Sequence, residues 1–195
     1  VYKRQISTYA IKTPLLSSDL LNKEFSSNIF IKAENLQKIG AFKFRGAINS
    51  ILKLDHDKKN VLAWSSGNHA QAIASACYLT NKNATIVMPE DSPNAKLNGT
   101  KSWGANIVTF DRYSESREEI GTNLAKEINA EIIPPFDHPD VINGQGTVGY
   151  EIINDCKKNN LIPDLVLCCC GGGGLIAGVS TAIKAEYPNI PVYAV

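Results

Sequence analysis

The sequence predicts an α/β protein built on open, doubly wound parallel sheets. Short apolar runs with little polar alternation indicate strands that are buried on both faces, as in a parallel sheet. Helix-length segments separate most of these runs, which favours right-handed crossovers between parallel strands. With 195 residues, 44% of them hydrophobic, the chain can form a sizeable core in one large domain or two smaller ones.

Strands and helices alternate along most of the chain. The predicted strands cover residues 29–32, 61–64, 84–88, 105–110, 131–133, 164–169 and 192–195. The predicted helices cover residues 44–54, 69–79, 93–103, 117–129, 146–158 and 175–186. The strand segments are short and apolar, and the helix at 69–79 is rich in alanine, the strongest helix former. Ligands bind such folds beyond the carboxyl ends of the strands, so a site is expected in the loops that enter the helices.

Composition argues against nucleic-acid and membrane functions. Lys and Arg total 20 against 19 Asp and Glu, and no basic block occurs, so there is little electrostatic basis for nucleic-acid binding. No apolar run approaches the roughly 18 to 20 residues that a membrane helix needs. Residues 1–14 contain neither the apolar core nor the cleavage pattern of a signal peptide. We therefore expect a cytoplasmic protein.

The five cysteines are predicted to be reduced. Three of them, Cys168, Cys169 and Cys170, are consecutive, and adjacent residues of a strand point to opposite faces and pair poorly. The spacing typical of a metal cluster, Cys-x-x-Cys or a nearby histidine, does not accompany them. We therefore interpret the cysteines as small, buried apolar residues in a reducing compartment.

A run of four glycines, Gly171 to Gly174, lies between an apolar strand and an apolar helix. Consecutive backbone N–H groups and the helix N-terminus predict an anion site, most simply for a phosphate group. A tight turn is the alternative. The spacing Gly172-x-Gly174-x-x-Ala177 also satisfies the loose dinucleotide pattern, so a nicotinamide-dependent Rossmann oxidoreductase stays open.

A small polar loop opens the alanine-rich helix. Ser65, Ser66, Asn68 and His69 place hydroxyl, amide and imidazole groups beside free backbone N–H groups at a helix N-terminus. This arrangement suits a carboxylate ligand, and it also suits a helix that caps itself. Taken alone, the loop favours self-capping.

Lys43 stands between Phe42 and Phe44, in the stretch GAFKFRG. Burial among aromatic rings disfavours the ammonium form and makes the neutral, nucleophilic amine accessible. Such a lysine can form an imine with an aldehyde, although a lysine whose stem covers apolar surface would look the same. The sequence thus combines a lysine in an apolar environment, a predicted anion site and a loop that suits a carboxylate. Together these features indicate pyridoxal phosphate acting on an amino acid.

Several motifs resemble, in order, the serine racemase and serine/threonine dehydratase group of fold-type II pyridoxal-phosphate enzymes. They are ENLQ at 34–37, AFKFRGA at 41–47, SSGNHAQ at 65–71, DHP at 137–139, GQGT at 144–147 and GGGGL at 171–175. The likeness runs from about Thr13 to Val195. In cysteine synthases, the loop that corresponds to residues 65–69 reads Thr-Ser-Gly-Asn-Thr. The Ser-Ser-Gly-Asn-His sequence of this chain therefore favours chemistry on hydroxy amino acids.

The resemblance implies roles for matching residues. Lys43 would form the imine and then abstract the α-proton, and Phe42 would pack against the cofactor ring. Asn68 would bind the phenolic oxygen of the cofactor, and the amides of Gly171, Gly172, Gly173 and Gly174 would hold its phosphate. The substrate carboxylate would be bound by Ser65, Ser66, Asn68, His69 and Arg117. Ser66 would also act as acid or base on the opposite face, so that β-hydroxyl elimination and reprotonation are both open outcomes.

The resemblance also implies two domains and a longer protein. Residues 1–59 and 138–195 would form part of a large cofactor domain, and residues 60–137 a small domain that carries the substrate loop. The rest of the large domain would supply the serine at the pyridine nitrogen and the acidic ligands of a divalent metal. We expect a homodimer when the protein is full length. The cofactor pocket of this stretch alone would be open on one side, which argues against activity of the stretch by itself. A non-catalytic binding protein is the third hypothesis.

Overall fold

The computed structural model of the protein describes residues 6–195; residues 1–5, part of the predicted large domain, lie outside the described range. The strands are β1 (Leu15–Ser17), β2 (Phe30–Lys32), β3 (Asn60–Trp64), β4 (Asn83–Pro89), β5 (Asn106–Phe110), β6 (Ala130–Ile132), β7 (Val166–Cys168) and β8 (Val192–Ala194). The α-helices are α1 (Asp19–Glu24), α2 (Lys43–Leu52), α3 (Asn68–Leu79), α4 (Asn94–Lys101), α5 (Arg117–Glu127), α6 (Pro139–Lys158) and α7 (Gly174–Glu186). Short 3₁₀ turns at Glu34–Leu36 and Lys38–Gly40 precede α2.

Four parallel strands form the main sheet, in the order β5-β4-β3-β6. The register places Val61 of β3 opposite Ala84 of β4 and Glu131 of β6. Val61, Leu62 and Ala63 are fully buried, because a central parallel strand is covered on both faces. The apolar runs of the sequence therefore show little polar alternation because these strands are buried on both faces, as predicted.

Separate apolar clusters cover the two faces of this sheet. One cluster joins α2 and α3 to the sheet through residues such as Phe44, Ile48 and Ile73. The cluster on the other side joins Leu62 and Val87 to α5. Helices on both faces are the doubly wound arrangement that the sequence predicts.

The predicted strand at 29–32 exists, but its pairing differs from the prediction. It is β2, and it runs antiparallel to β1, with Leu15 opposite Lys32. Neither β1 nor α1 was predicted, since both are short and largely exposed and carry little periodic signal. Strands β7 and β8 form a further parallel pair.

Helix α6 begins at Pro139, about two turns before the predicted start at residue 146. The predicted start is wrong because residues 139–145 include glycine and proline, which are weak helix formers, and the packing that favours them is not visible in the sequence. A Cβ atom on Gly144 would lie 2.4 Å from the carbonyl oxygen of Arg45, and one on Gly146 would lie 3.0 Å from the carbonyl oxygen of Gly178. These glycines allow α6 to contact the backbones of both α2 and α7. Helix α6 thus aligns the helix of Lys43 with the helix that follows the glycine turn.

The cysteines only partly match the prediction. Cys77, Cys156 and Cys168 are buried, whereas Cys169 and Cys170 are exposed, because they lie where β7 opens into the glycine turn. Burial and the neighbouring Cys169 and Cys170 together raise the pKa of Cys168 to about 11, so this thiol stays protonated. None of the helices within residues 6–195 is long and apolar enough to span a bilayer.

Candidate active site

A cavity of about 240 Å³ lies beyond the carboxyl end of β7. Its lining contains Phe42, Lys43, Phe136, Cys169, Gly171, Gly172, Gly173, Gly174 and Leu175. Lys43 therefore faces the same cavity as the glycine turn at 171–174, although the two are more than 120 positions apart in sequence. The location is the one expected for an α/β fold, outside the carboxyl ends of the strands.

Lys43 is the first residue of α2 and is half-buried. Its Nζ donates a hydrogen bond to the carbonyl oxygen of Pro135 and lies 5.5 Å from the centroid of the Phe42 ring. Burial lowers the pKa of Lys43, so more of the amine is neutral and nucleophilic than on a surface lysine. The side chain can therefore react with an aldehyde held in the cavity.

The glycines of the turn have different reasons to be glycine. Gly173 has a φ of 84°, a left-handed conformation that disfavours a side chain. A Cβ on Gly172 would lie 2.2 Å from the Phe136 ring, and one on Gly174 would lie 2.7 Å from the Phe136 carbonyl oxygen. A Cβ on Gly171 would meet no protein atom within 4 Å. The protein's own packing therefore does not require glycine at 171, and the open space there can admit a bound group.

The N-terminus of α7 suits the phosphate of the predicted cofactor. The helix has 13 residues, its N-cap is Gly173, and no side chain caps it. Its first backbone N–H groups lack acceptors within the helix, and the helix dipole favours an anion there. Phosphate at this turn and an aldehyde near Lys43 would fit one molecule with both groups, which is the composition of pyridoxal phosphate.

The serine loop also leaves a helix N-terminus uncapped by side chains. Gly67 is the N-cap of α3, and no side chain accepts a capping hydrogen bond there. The Ser65 hydroxyl instead accepts a hydrogen bond from the Gly67 amide at 3.2 Å. The self-capping interpretation is therefore wrong. Ser66 is half-buried and Asn68 is exposed, so both are accessible to a ligand.

His69 lies in the core, with 3% of its surface exposed. Its Nε2 is 2.9 Å from the carbonyl oxygen of Ile133. Burial lowers the pKa of His69 to about 4, a hydrogen bond with Ile133 opposes this, and the charge of Lys43 lowers it further. The imidazole is thus neutral at pH 7, with Nε2–H donating to Ile133. Its predicted role in carboxylate binding stays a prediction, for which the His69 backbone amide is the available donor.

The buried His69 predicts a pH-dependent stability. In the unfolded chain the imidazole has its ordinary pKa of 6.5, so between pH 6.5 and about 4 the unfolded state binds more protons than the folded state. The free energy of unfolding should therefore fall as the pH is lowered through this window, by roughly 3 kcal/mol in total. Urea denaturation of the wild type and of His69→Gln at pH 4 to 8 measures the effect.

The matched control for this series is His56→Gln, since His56 is exposed. The control should keep the acid-dependent loss of the wild type, and His69→Gln should lack most of it. Equal pH dependence in His69→Gln and the wild type would contradict the assignment.

Not all predicted site residues share the cavity. Phe42, Lys43 and the four glycines line it, whereas Ser65, Ser66, Asn68, His69 and Arg117 are not among its lining residues. The N-terminus of α3 is nevertheless nearby, because His69 and Lys43 form hydrogen bonds with carbonyl oxygens only two residues apart, those of Ile133 and Pro135. Arg117 is exposed at the start of α5, and its Nε lies 2.7 Å from Glu118. Its role at the substrate carboxylate stays a prediction.

Two features of the site were missed in the sequence. Phe136 lines the cavity and packs against the glycine turn. The only available signal was its position in a loop after a strand, at the edge of the sheet where ligands bind. Arg45 is fully buried between the carboxylates of Glu34 and Glu151.

Within residues 6–195, no group of three or more His, Cys, Asp or Glu side chains could hold a metal ion.

Comparisons with known proteins were consistent with this geometry. The model of a family described as "Pyridoxal-phosphate dependent enzyme" matches residues 6–195. The chain is 46% identical to the L-threo-3-hydroxyaspartate ammonia-lyase of Saccharomyces cerevisiae and 43% identical to the serine racemase of Schizosaccharomyces pombe. Each alignment covers 98% of this chain and 58% of the relative, so the chain spans less than two thirds of the length of these relatives.

Solved structures of similar proteins have the same fold. A threonine deaminase from T.th. superposes with a TM-score of 0.93 and 42% identity, over 99% of this chain and 62% of that one. Maize serine racemase superposes with a TM-score of 0.94 and 38% identity, over 99% of this chain and 58% of that one. The predicted fold class is therefore confirmed.

Proposed function

Because the chain belongs to the family of pyridoxal-phosphate dependent enzymes, we propose that the full-length protein is an ammonia-lyase, a racemase or both, acting on small β-hydroxy amino acids. Serine, threonine and 3-hydroxyaspartate are the proposed substrates, in line with the names of its relatives. The observation that carries the proposal is the shared cavity of Lys43 and the glycine turn. The family match argues against the nicotinamide alternative.

The residues of the cavity fit pyridoxal phosphate. Gly171 to Gly174 would hold the phosphate through backbone amides, and Phe42 would lie beside the ring. When bound, the cofactor supplies an aldehyde that reacts with amines and a ring that accepts the electron pair left at the substrate α-carbon. Asn68 is proposed to bind the phenolic oxygen, as a free amide at the start of α3.

Lys43 carries two tasks in this proposal. Its neutral amine would hold the cofactor through the aldehyde carbon, and the same Nζ, once free, would take the α-proton of the substrate. The lowered pKa of Lys43 favours the neutral base that this second task requires. Loss of the β-hydroxyl as water, followed by hydrolysis of the released unsaturated amino acid by one water, would give a keto acid and ammonia, whereas proton delivery from Ser66 on the opposite face would give the D-enantiomer.

The substrate carboxylate is proposed to bind at the N-terminus of α3. This helix end has no side-chain cap, so hydrogen-bond donors are available there for a carboxylate. The donors are the side chains of Ser65, Ser66 and Asn68 and the backbone amide of His69. We further propose that residues 60–137 move as a small domain against 1–59 and 138–195, so that the loop closes over the substrate and excludes water. Arg117 would approach the carboxylate in the closed form.

Two further elements of the proposal rest on the resemblance to the racemase group. They are a homodimer and a divalent metal bound by residues after Val195. We also propose a cytoplasmic location. The exposed thiols of Cys169 and Cys170 support a reducing compartment.

The test of the function is a product assay on the purified full-length protein. L-serine, L-threonine and L-threo-3-hydroxyaspartate are each incubated with the cofactor-loaded enzyme, and keto acid, ammonia and D-amino acid are measured in parallel. We expect at least one substrate to give keto acid and ammonia in equal amounts, the D-amino acid, or both. A protein that binds the cofactor and converts none of the three would contradict the proposal and favour the non-catalytic hypothesis.

A further inference from the structure

Arg45 is a fully buried cation held between two carboxylates. Its Nε and Nη2 donate to Glu34 at 2.8 and 2.7 Å, and its Nη1 and Nη2 donate to Glu151 at 2.8 and 2.9 Å. Nη1 also donates to the Thr147 hydroxyl at 3.2 Å. Paired contacts on both edges fix the plane of the guanidinium as well as its position.

The location of Arg45 runs against two local preferences. It lies in the first turn of α2, where the helix dipole disfavours a cation, and a buried charge has a desolvation cost. Burial by itself lowers the pKa of Arg45, but its hydrogen bonds to Glu34 and Glu151 raise the pKa overall, so the group stays charged. A residue that breaks two local rules is best explained by a requirement for its particular contacts.

The ion pairs continue from Arg45 to the surface. Lys32 Nζ lies 2.8 Å from Glu151 and 3.4 Å from Asp155, and Lys12 Nζ lies 2.6 Å from Asp155. Cations and carboxylates alternate, so their charges balance along the network. The network joins the N-terminal segment, β2 and α6 to the first turn of α2.

This network lies at the point where α2 and α6 touch. A Cβ atom on Gly144 of α6 would be 2.4 Å from the carbonyl oxygen of Arg45. The loop that leads into α6 contains Pro135, which accepts the hydrogen bond from Lys43, and Phe136, which packs against the glycine turn. The alignment of α2 with α6 therefore sets where the Lys43 amine stands relative to the turn.

We propose that Arg45, held by Glu34 and Glu151, is a positioning residue that sets the reach of the Lys43 amine across the cofactor cavity. The inference rests on the proposed function, in which the Lys43 amine must reach the aldehyde of the bound cofactor. In the reaction concerned, the Lys43 amine adds to the aldehyde carbon of pyridoxal phosphate and one water leaves, which joins nitrogen to carbon by a double bond. Displacements of about 1 Å can slow such steps by about 100-fold.

The test separates covalent attachment from phosphate binding. Full-length protein is titrated with pyridoxal phosphate and, separately, with pyridoxamine phosphate, which has the same phosphate but no aldehyde. Covalent attachment is trapped with borohydride and followed by the mass of the chain. The main variant is Glu34→Gln, which keeps the side-chain shape and leaves Arg45 paired with Glu151.

We expect Glu34→Gln to slow covalent attachment by about 10- to 100-fold while its Kd for pyridoxamine phosphate stays within twofold of the wild type. Thr147→Val removes one weaker contact of Arg45 and should slow attachment by about fivefold, which keeps the test available if Glu34→Gln folds poorly. The matched control is Lys53→Met, because Lys53 forms an exposed α2–α6 ion pair with Asp140 at the far end of α2. The control should match the wild type.

Two results would overturn the inference. One is unchanged attachment in both Glu34→Gln and Thr147→Val, and the other is an equal loss of affinity for the two cofactor forms, which a merely structural role would produce. Failure of the proposed function is distinguishable, since it would show as a wild-type protein that forms no trapped adduct or converts no substrate in the product assay, and not as a difference between the variants and the wild type.

Discussion

The Lys43→Ala variant of the full-length protein is expected to lose covalent cofactor attachment entirely and to turn over substrate at least about 10³-fold more slowly than the wild type. A positioned general base alone contributes roughly 10²- to 10⁴-fold, and Lys43 is proposed to act as base and as nucleophile. Borohydride trapping followed by mass measurement reports the attachment, and the keto-acid assay reports turnover.

The chain offers a matched control in Lys38. Lys38 Nζ lies 5.5 Å from the centroid of the Phe44 ring, and Lys43 Nζ lies at the same distance from Phe42. Only the second of these lysines lines the cavity. Lys38→Ala should therefore keep the trapped adduct and most of the turnover. An adduct that persists in Lys43→Ala would place the reactive amine elsewhere and remove the basis of the proposed function.

The parallel core was predictable because its physical cause is local. Residues 61–64 and 84–88 are mostly apolar on both faces, and a parallel sheet covered by helices on both sides buries such strands. The glycine turn was predictable for the same reason, since four consecutive glycines between an apolar strand and an apolar helix are a local and unusual signal. By contrast, β1 is three residues long and carries no periodic signal of its own, so the sequence does not show that it pairs with β2, about 15 positions away.

The missed parts of the site depend on contacts between distant segments. Gly144 looks like a helix breaker in sequence, and only the backbone of Arg45 beside it explains why glycine stands inside α6. Arg45 itself looks like a surface residue, because its carboxylate partners Glu34 and Glu151 lie 11 and 106 positions away. Neither distance is a spacing that a sequence pattern can reveal.

Arg45→Met is expected to lower the free energy of unfolding of the full-length protein by about 3 to 5 kcal/mol. Removing Arg45 takes the cation from the Glu34 carboxylate and leaves Glu151 with Lys32 alone, and the cost of a desolvated, uncompensated charge exceeds the value of an exposed pair several-fold. Urea denaturation, compared at equal slope, measures the change. The matched control is Arg112→Met, because Arg112 and Asp91 form an exposed pair that should contribute less than about 1 kcal/mol.

The double variant Arg45→Met/Glu34→Leu distinguishes the cost of an unpaired charge from the cost of lost packing. If the uncompensated Glu34 carboxylate causes much of the loss, replacing it should restore part of the stability, and the double variant should be less destabilised than the sum of the single variants. Additive losses would instead assign the effect to packing around the guanidinium. Because the paired replacement removes the contacts but not the fold, cofactor attachment should stay slow in this variant even where stability recovers. Stability and the reach of Lys43 would then be separate consequences of the same buried charge.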